Sequence, residues 1–139
     1  MSKKREGYRG YVTCREFGGL IIPVPVQSML LREYCEKHKL IYKLHLNENI
    51  FPHSYMVLEG IVENLSDFEG LLMGSMFMLP KKSGRRADIY RKVFDQKIGI
   101  HFVLEDIVIK SFDDVQMVEE VLSIGNLIDL CPKELDKAN

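Results

Sequence analysis

Gly70-Leu71-Leu72-Met73-Gly74-Ser75-Met76-Phe77-Met78-Leu79-Pro80, followed at once by Lys81-Lys82-Ser83-Gly84-Arg85-Arg86, is the stretch on which the fold turns. A nearly unbroken apolar run of this length, ended by proline, reads as a strand over 70–79 covered on both faces. A cationic loop follows and enters a helix. In an α/β protein, a buried strand followed by a charged turn and a helix start marks the place of a ligand site.

Upstream of this strand, Ser54 is the expected N-cap of a helix whose Leu58, Ile61, Val62 and Leu65 share one face. Before that helix, Leu40, Tyr42, Leu44 and Leu46 alternate with Ile41, Lys43, His45 and Asn47, the pattern of an edge strand with one wet face. Earlier still, a helix runs from Pro23 and Pro25 to about His38. Its apolar stripe steps through Val26, Leu30, Tyr34 and His38, widened by Met29, Leu31 and Cys35. Tyr8 to Cys14 is rich in β-formers and predicts the first strand, broken by Arg15-Glu16-Phe17-Gly18-Gly19.

Downstream, a helix from Ser83 to about Gln96 buries Ile89, Val93 and Phe94. Ile98 to Leu104 predicts another buried strand, ending at Glu105, and Ile107 with Ile109 a short edge strand or extended connection. Ser111-Phe112-Asp113-Asp114 matches a capping box opening a last helix with Val115, Val118 and Leu122; Gly125 interrupts it. Strands alternating with helices predict an α/β fold: a single three-layer domain with a mostly parallel sheet of 4–5 strands, order 2-1-3-4(-5), and helices on both faces. The domain is expected over 8–130, between a flexible N-terminus (1–7) and a polar tail (131–139).

The totals narrow the function classes. A chain of 139 residues makes one domain with a real core, and a net charge of −1 gives no global attraction to nucleic acid. Anion binding must therefore be local. Cys14, Cys35 and Cys131 are odd in number and lack metal or redox spacing, which favours a reducing, cytoplasmic setting. No signal peptide or membrane span is expected. The histidines at 38, 45, 53 and 101 are scattered, so no metal site and no cofactor are expected.

Ligands of such sheets bind beyond the carboxyl ends of the strands. That rule gathers Thr13, Cys14 and Arg15 from the first strand, His45 and Glu48 from the second, Ser75 to Pro80 with the basic loop from the third, and Glu105 from the fourth. The expected anion and substrate contacts are Arg9, Arg15, Ser75, Ser83, Arg85 and Arg86, using backbone N–H groups at the helix start and bidentate guanidinium bonds. Glu105, with His101 or His45, is the expected proton-handling set. Blander roles stay open at each position. The basic loop could be a solvated turn, and an arginine of the first strand could pair with Glu16 or Glu6. His45 could be an exposed edge residue, His101 a core histidine held by backbone, and Cys14 core packing.

Arg9-Gly10-Tyr11, Arg15, Pro25 with Gln27, Arg32 with Tyr34, Ser75-Met76-Phe77-Met78-Leu79-Pro80 and His101-Phe102-x-x-Glu105 together resemble the sporadic carbohydrate cluster protein family, from about residue 7 to 122. That resemblance implies a small bacterial protein of surface-polysaccharide synthesis. It makes a sugar phosphate or nucleotide sugar the expected partner. The order of elements is also similar to the catalytic domain of resolvase-type serine recombinases. Their Tyr-x-Arg-x-Ser pattern would need Arg at 13 and Ser at 15, where this chain has Thr13 and Arg15. The likeness therefore implies the fold, and a homodimer by analogy, without the recombinase nucleophile. Three functions follow: a nucleotide-sugar or sugar-phosphate enzyme or binding protein, a non-catalytic accessory subunit, and a recombinase relative. The last is disfavoured, so DNA is not an expected partner.

Overall fold

The computed structural model describes residues 5–48 and 55–124. Its strands are β1 (Tyr8–Thr13), β2 (Tyr42–Glu48), β3 (Gly70–Met73), β4 (Gly99–Phe102) and β5 (Ile107–Ile109). The helices are α1 (Val24–Lys37), α2 (Met56–Glu63), α3 (Ser83–Asp95) and α4, which covers 112–124 of the described residues. One sheet holds the strands in the order β2-β1-β3-β4-β5. The first four run parallel and β5 is antiparallel to β4, so the expected order and layering are correct. The expected N-cap Ser54, His53, Gly125, Cys131 and the tail 131–139 lie outside the described residues.

The two faces of the sheet are unequal. Tyr11, Leu71, Met73, Ile100 and Phe102 pack with α2, α3 and α4 in the larger core, while Val12 and Leu72 meet Leu31, Tyr34 and Cys35 of α1 in the smaller. The buried face of α1 carries Gln27, Leu31, Tyr34 and Cys35; Val26 and Met29, expected inside, stand in water. Gly10 lets α1 approach β1, since a Cβ there would lie 2.9 Å from a Leu31 methyl.

Two expected strands needed correction. The run 70–79 is a strand only to Met73. The Ser75 hydroxyl accepts a hydrogen bond from the Phe77 N–H (3.1 Å) and starts a single 3₁₀ turn over Met76–Met78. Met76, Met78 and Leu79 are still buried, because the turn packs into the core; burial by a turn and burial by a strand demand the same apolar composition. β4 likewise ends at Phe102, and residues 103–106 form a turn whose Val103 and Leu104 N–H groups bond the carbonyls of Met73 and Gly74.

β2 departs in a different way. Its pairing with β1 steps from Tyr8↔Tyr42 to Gly10↔His45, so one extra residue bulges out, and Leu44 takes φ +80°. A one-residue insertion swaps the faces beyond it. Leu44 and Leu46, expected in the core, are exposed, and His45 lies beside Tyr42, whose hydroxyl is 2.9 Å from Nδ1. Glu48 is 1% exposed on the other side of the sheet, so it does not share a face with His45.

Candidate functional site

The carboxyl end of β1 is built by a glutamine. Buried Gln27 of α1 accepts from the Thr13 N–H (3.1 Å) and donates to the carbonyls of Thr13 (2.7 Å) and Ile22 (2.6 Å). These bonds satisfy backbone groups that leave the sheet ladder, which a buried chain cannot leave unpaired. They also pin both ends of the loop 14–22. Inside that loop, Phe17 and Leu20 exchange two backbone bonds of 2.9 Å around Gly18 and Gly19. Their φ values of +56° and +78° suit glycine, and Gly18 lies against Phe77.

Arg15 leaves this end of the strand with its side chain fixed. Its Nε donates to Thr13 Oγ1 (3.2 Å) and its Nη2 to the Tyr11 hydroxyl (3.3 Å). The guanidinium carbon lies 4.2 Å from the centroid of the Tyr55 ring. Tyr11 in turn donates to Glu48 (3.0 Å), whose carboxylate also accepts from the Val57 and Leu58 N–H groups at the start of α2. An acid there suits the helix dipole and caps free donors. Burial and the nearby Glu48 charge push the Tyr11 phenol far above its usual range, so it stays a neutral donor. Among the described residues no carboxylate pairs with Arg15; Glu6, one expected partner, is bonded by Lys43 at 3.4 Å.

Arg15 lines a crevice of about 500 Å³ between the loop after β1 and the turn after β3. Thr13, Cys14, Glu16 and Lys81 give it polar edges, and Phe17, Ile21, Phe77, Met78, Leu79 and Leu122 an apolar wall. Its size is that of a small-molecule site, at the point where strand order reverses. The fold is resolvase-like. The chain is similar to the N-terminal catalytic domain of TP901-1 integrase, with TM-score 0.54 and 18% identity over 91% of this chain and 98% of that one. It is also similar to a resolvase family site-specific recombinase from Streptococcus pneumoniae, with TM-score 0.53 and 12% identity over 94% and 93% of the two chains. Identities this low speak of fold alone. No protein-family model matches the chain, and no curated protein does. Where the recombinase pattern needs arginine, Thr13 is buried and its hydroxyl accepts from both the backbone N–H and Nε of Arg15.

The other expected site residues scatter. Arg85 reaches the same Tyr55 ring (5.0 Å to the centroid) and bonds Glu59 of α2. Arg86 lines the crevice, but its guanidinium is engaged. It makes a bidentate pair with Glu119 of α4 (2.8 and 2.7 Å) and donates to the carbonyls of Pro80 (3.0 Å) and Lys81 (2.6 Å). Tyr90 adds a hydroxyl bond to Glu119 (2.8 Å). The bonds from Arg86 hold the Glu119 carboxyl below its usual range. Ser83 is exposed at the first turn of α3. Arg9 lies near the amino end of β1 over the Phe68 ring (4.4 Å), the far end of a strand about 20 Å long from Arg15.

The three expected proton carriers are also apart from the crevice lining. Glu105 accepts from the Ser75 hydroxyl and the Met76 N–H, both at 2.8 Å, tying the turn after β4 to the turn after β3. His101, on the α1 face, has its Nδ1 2.8 Å from the Tyr34 hydroxyl and its ring edge-on to Tyr8. Burial, then the Lys110 charge, lower its pKa to about 4. It does not share a face with Glu105 in a strand, because β4 has ended before Glu105. Of the residues sequence reasoning picked, Arg15 alone faces the crevice with its guanidinium uncommitted to an acid among the described residues. Tyr55, Gln27 and Phe17 were not picked as site residues; Tyr55 meets Arg15, and Gln27 meets Thr13, only once the chain has folded. Among the described residues no His/Cys/Asp/Glu group could hold a metal, and no helix is long and apolar enough to cross a membrane.

Proposed function

We propose that the chain is a small binding protein, of surface-polysaccharide synthesis, that takes the phosphate of a nucleotide sugar or sugar phosphate in the crevice beside Arg15. The observation that carries this reading is Arg15 itself. It is a half-buried guanidinium oriented by Thr13 and Tyr11 and stacked on Tyr55, with no acid paired to it among the described residues. A cation held in one geometry at a crevice is suited to an oxyanion, and Lys81 at the rim adds a second positive charge. Glu105, His101 and His45 make their bonds elsewhere, which favours binding over proton-transfer chemistry at the crevice.

Thermal-shift measurement against a panel of nucleotide sugars and sugar phosphates tests it. A ligand at about ten times its Kd should stabilise the fold by about 1.4 kcal/mol, a Tm rise of about 4 °C. Arg15→Gln should remove that rise. A panel without a single shift, or the same shifts in Arg15→Gln, would overturn the reading. A second reading, a DNA-contacting domain, draws on the recombinase neighbours alone. Net charge of −1 weighs against it, and a low-salt mobility-shift assay showing tight duplex binding would favour it.

A further inference from the structure

Resting on the reading of the crevice as a phosphate site, we infer that Glu48 is a positioning residue for the anion: acting through the Tyr11 hydroxyl, it holds the Arg15 guanidinium in the pose that the ligand meets. A guanidinium has two edges that can grip a pair of oxygens, one formed by Nε with Nη2 and one by Nη1 with Nη2. In Arg15 the first is occupied, since Nε donates to Thr13 Oγ1 (3.2 Å) and Nη2 to the Tyr11 hydroxyl (3.3 Å). Nη1 has no hydrogen-bond partner among the described residues, so the second edge is the one left for a phosphate.

The bond to Tyr11 is only as well directed as what stands behind it. A phenol has one hydrogen, and here Glu48 takes it: the Tyr11 hydroxyl donates to Oε1 at 3.0 Å, which leaves its lone pairs for Arg15. Burial and the Glu48 charge keep that phenol protonated. The carboxylate is itself fixed, because the Val57 and Leu58 N–H groups at the start of α2 donate to its two oxygens (3.1 and 3.2 Å). Tyr11 and Glu48 are 0% and 1% exposed, so water does not compete for these bonds. The chain of donors therefore runs one way, from Arg15 at the crevice to Tyr11 to Glu48, and ends on a helix. An arginine held in this way loses less freedom when an anion arrives, which raises affinity without adding a contact to the ligand.

Isothermal titration of UDP-glucose into the full chain and its variants tests the inference. Tyr11→Phe removes one buried oxygen and should weaken binding about fivefold; Glu48→Ala should do the same, and the two together should do no more than either alone. Glu48→Gln keeps an oxygen for the phenol and forfeits the bond from Val57. It should therefore lower the melting temperature and yet bind within about twofold of the unaltered protein, a separation that a merely structural carboxylate would not give. Should Glu48→Ala fail to fold, Tyr11→Phe and Glu48→Gln decide the matter. Unchanged affinity in Tyr11→Phe, additive losses in the double variant, or a loss in Glu48→Gln equal to that in Tyr11→Phe would overturn the inference; weakened binding in Arg15→Gln would then leave the phosphate site standing. No saturable binding to the unaltered protein would overturn both the inference and the function on which it rests.

Discussion

Arg15 and Arg86 line the same crevice and are used in opposite ways. Arg86 is 8% exposed and has its guanidinium occupied by the Glu119 carboxylate and two carbonyls. Arg15 is bonded to a hydroxyl and a phenol, lies on an aromatic ring, and has no acid among the described residues. One arginine is spent on joining α3 to α4; the other is oriented and left with its charge unneutralised. A buried guanidinium is tolerated only when paired, so the pairing of Arg86 identifies a structural fastening. Arg15, with no paired acid among the described residues, is where the proposed anion would bind.

The contrast can be broken most forcefully at Arg86. Arg86→Ala leaves the Glu119 carboxylate and two carbonyls without their donor, and should cost about 3–5 kcal/mol by urea denaturation. A loss below about 1 kcal/mol would mean that the pair is ordinary surface charge. Glu119→Gln keeps the shape and removes the charge, and should cost about 2 kcal/mol at neutral pH. The pH dependence sharpens this. The Glu119 carboxyl is held below its ordinary 4.5, so its contribution is fully present above pH 4.5 and is lost as pH falls through the lower, folded value. Glu119→Gln should therefore approach the unaltered protein in stability as the solution is acidified, a trend that denaturation curves at several pH values would show.

Arg15→Gln should behave in the reverse manner: a change in unfolding free energy within about 1 kcal/mol, with phosphate-ester binding weakened about tenfold. His101 lies outside the contrast and serves as its control. Its folded pKa of about 4 is below the ordinary 6.5, so the neutral ring is the one the fold accommodates. Stability from this group is complete above pH 6.5 and declines as pH falls toward about 4. His101→Gln should flatten stability between those values and leave phosphate binding as it was; a change in binding would tie the α1 face of the sheet to the crevice.

Much of the fold was legible because its signals are local. Pro25 marks the first turn of α1, Leu58, Ile61 and Val62 give the buried face of α2, and the apolar run from Ile98 with the pair Ile107 and Ile109 foretells β4 and β5. Misses arose where one composition serves two conformations. Met76 to Leu79 are apolar because a 3₁₀ turn, and not more strand, enters the core. In β2 the bulge at Leu44 turns a regular alternation inside out, and a period-two pattern cannot announce the residue at which it slips.

The site was less legible than the fold. Position at a strand end picked Arg15, which lines the switch-point crevice, and the same rule also picked Arg86, Ser75 and Glu105. What separates them is the partner: Glu119 for Arg86, and each other for Ser75 and Glu105. Those partners come from elements that only folding brings near, so charge and spacing alone rank a fastening and an open cation equally. Arg9 lies near the amino end of β1, away from the carboxyl ends where ligands of such sheets bind, and does not line the crevice.

Isothermal titration of UDP-glucose into the unaltered protein and into Arg15→Gln at low salt goes straight to the matter. We predict saturable binding to the unaltered protein, weakened at least about tenfold by the substitution, while the two proteins melt within about 3 °C of each other. Equal affinity for the two proteins, or no saturable binding to either, would contradict the assignment of Arg15 as the anion's partner.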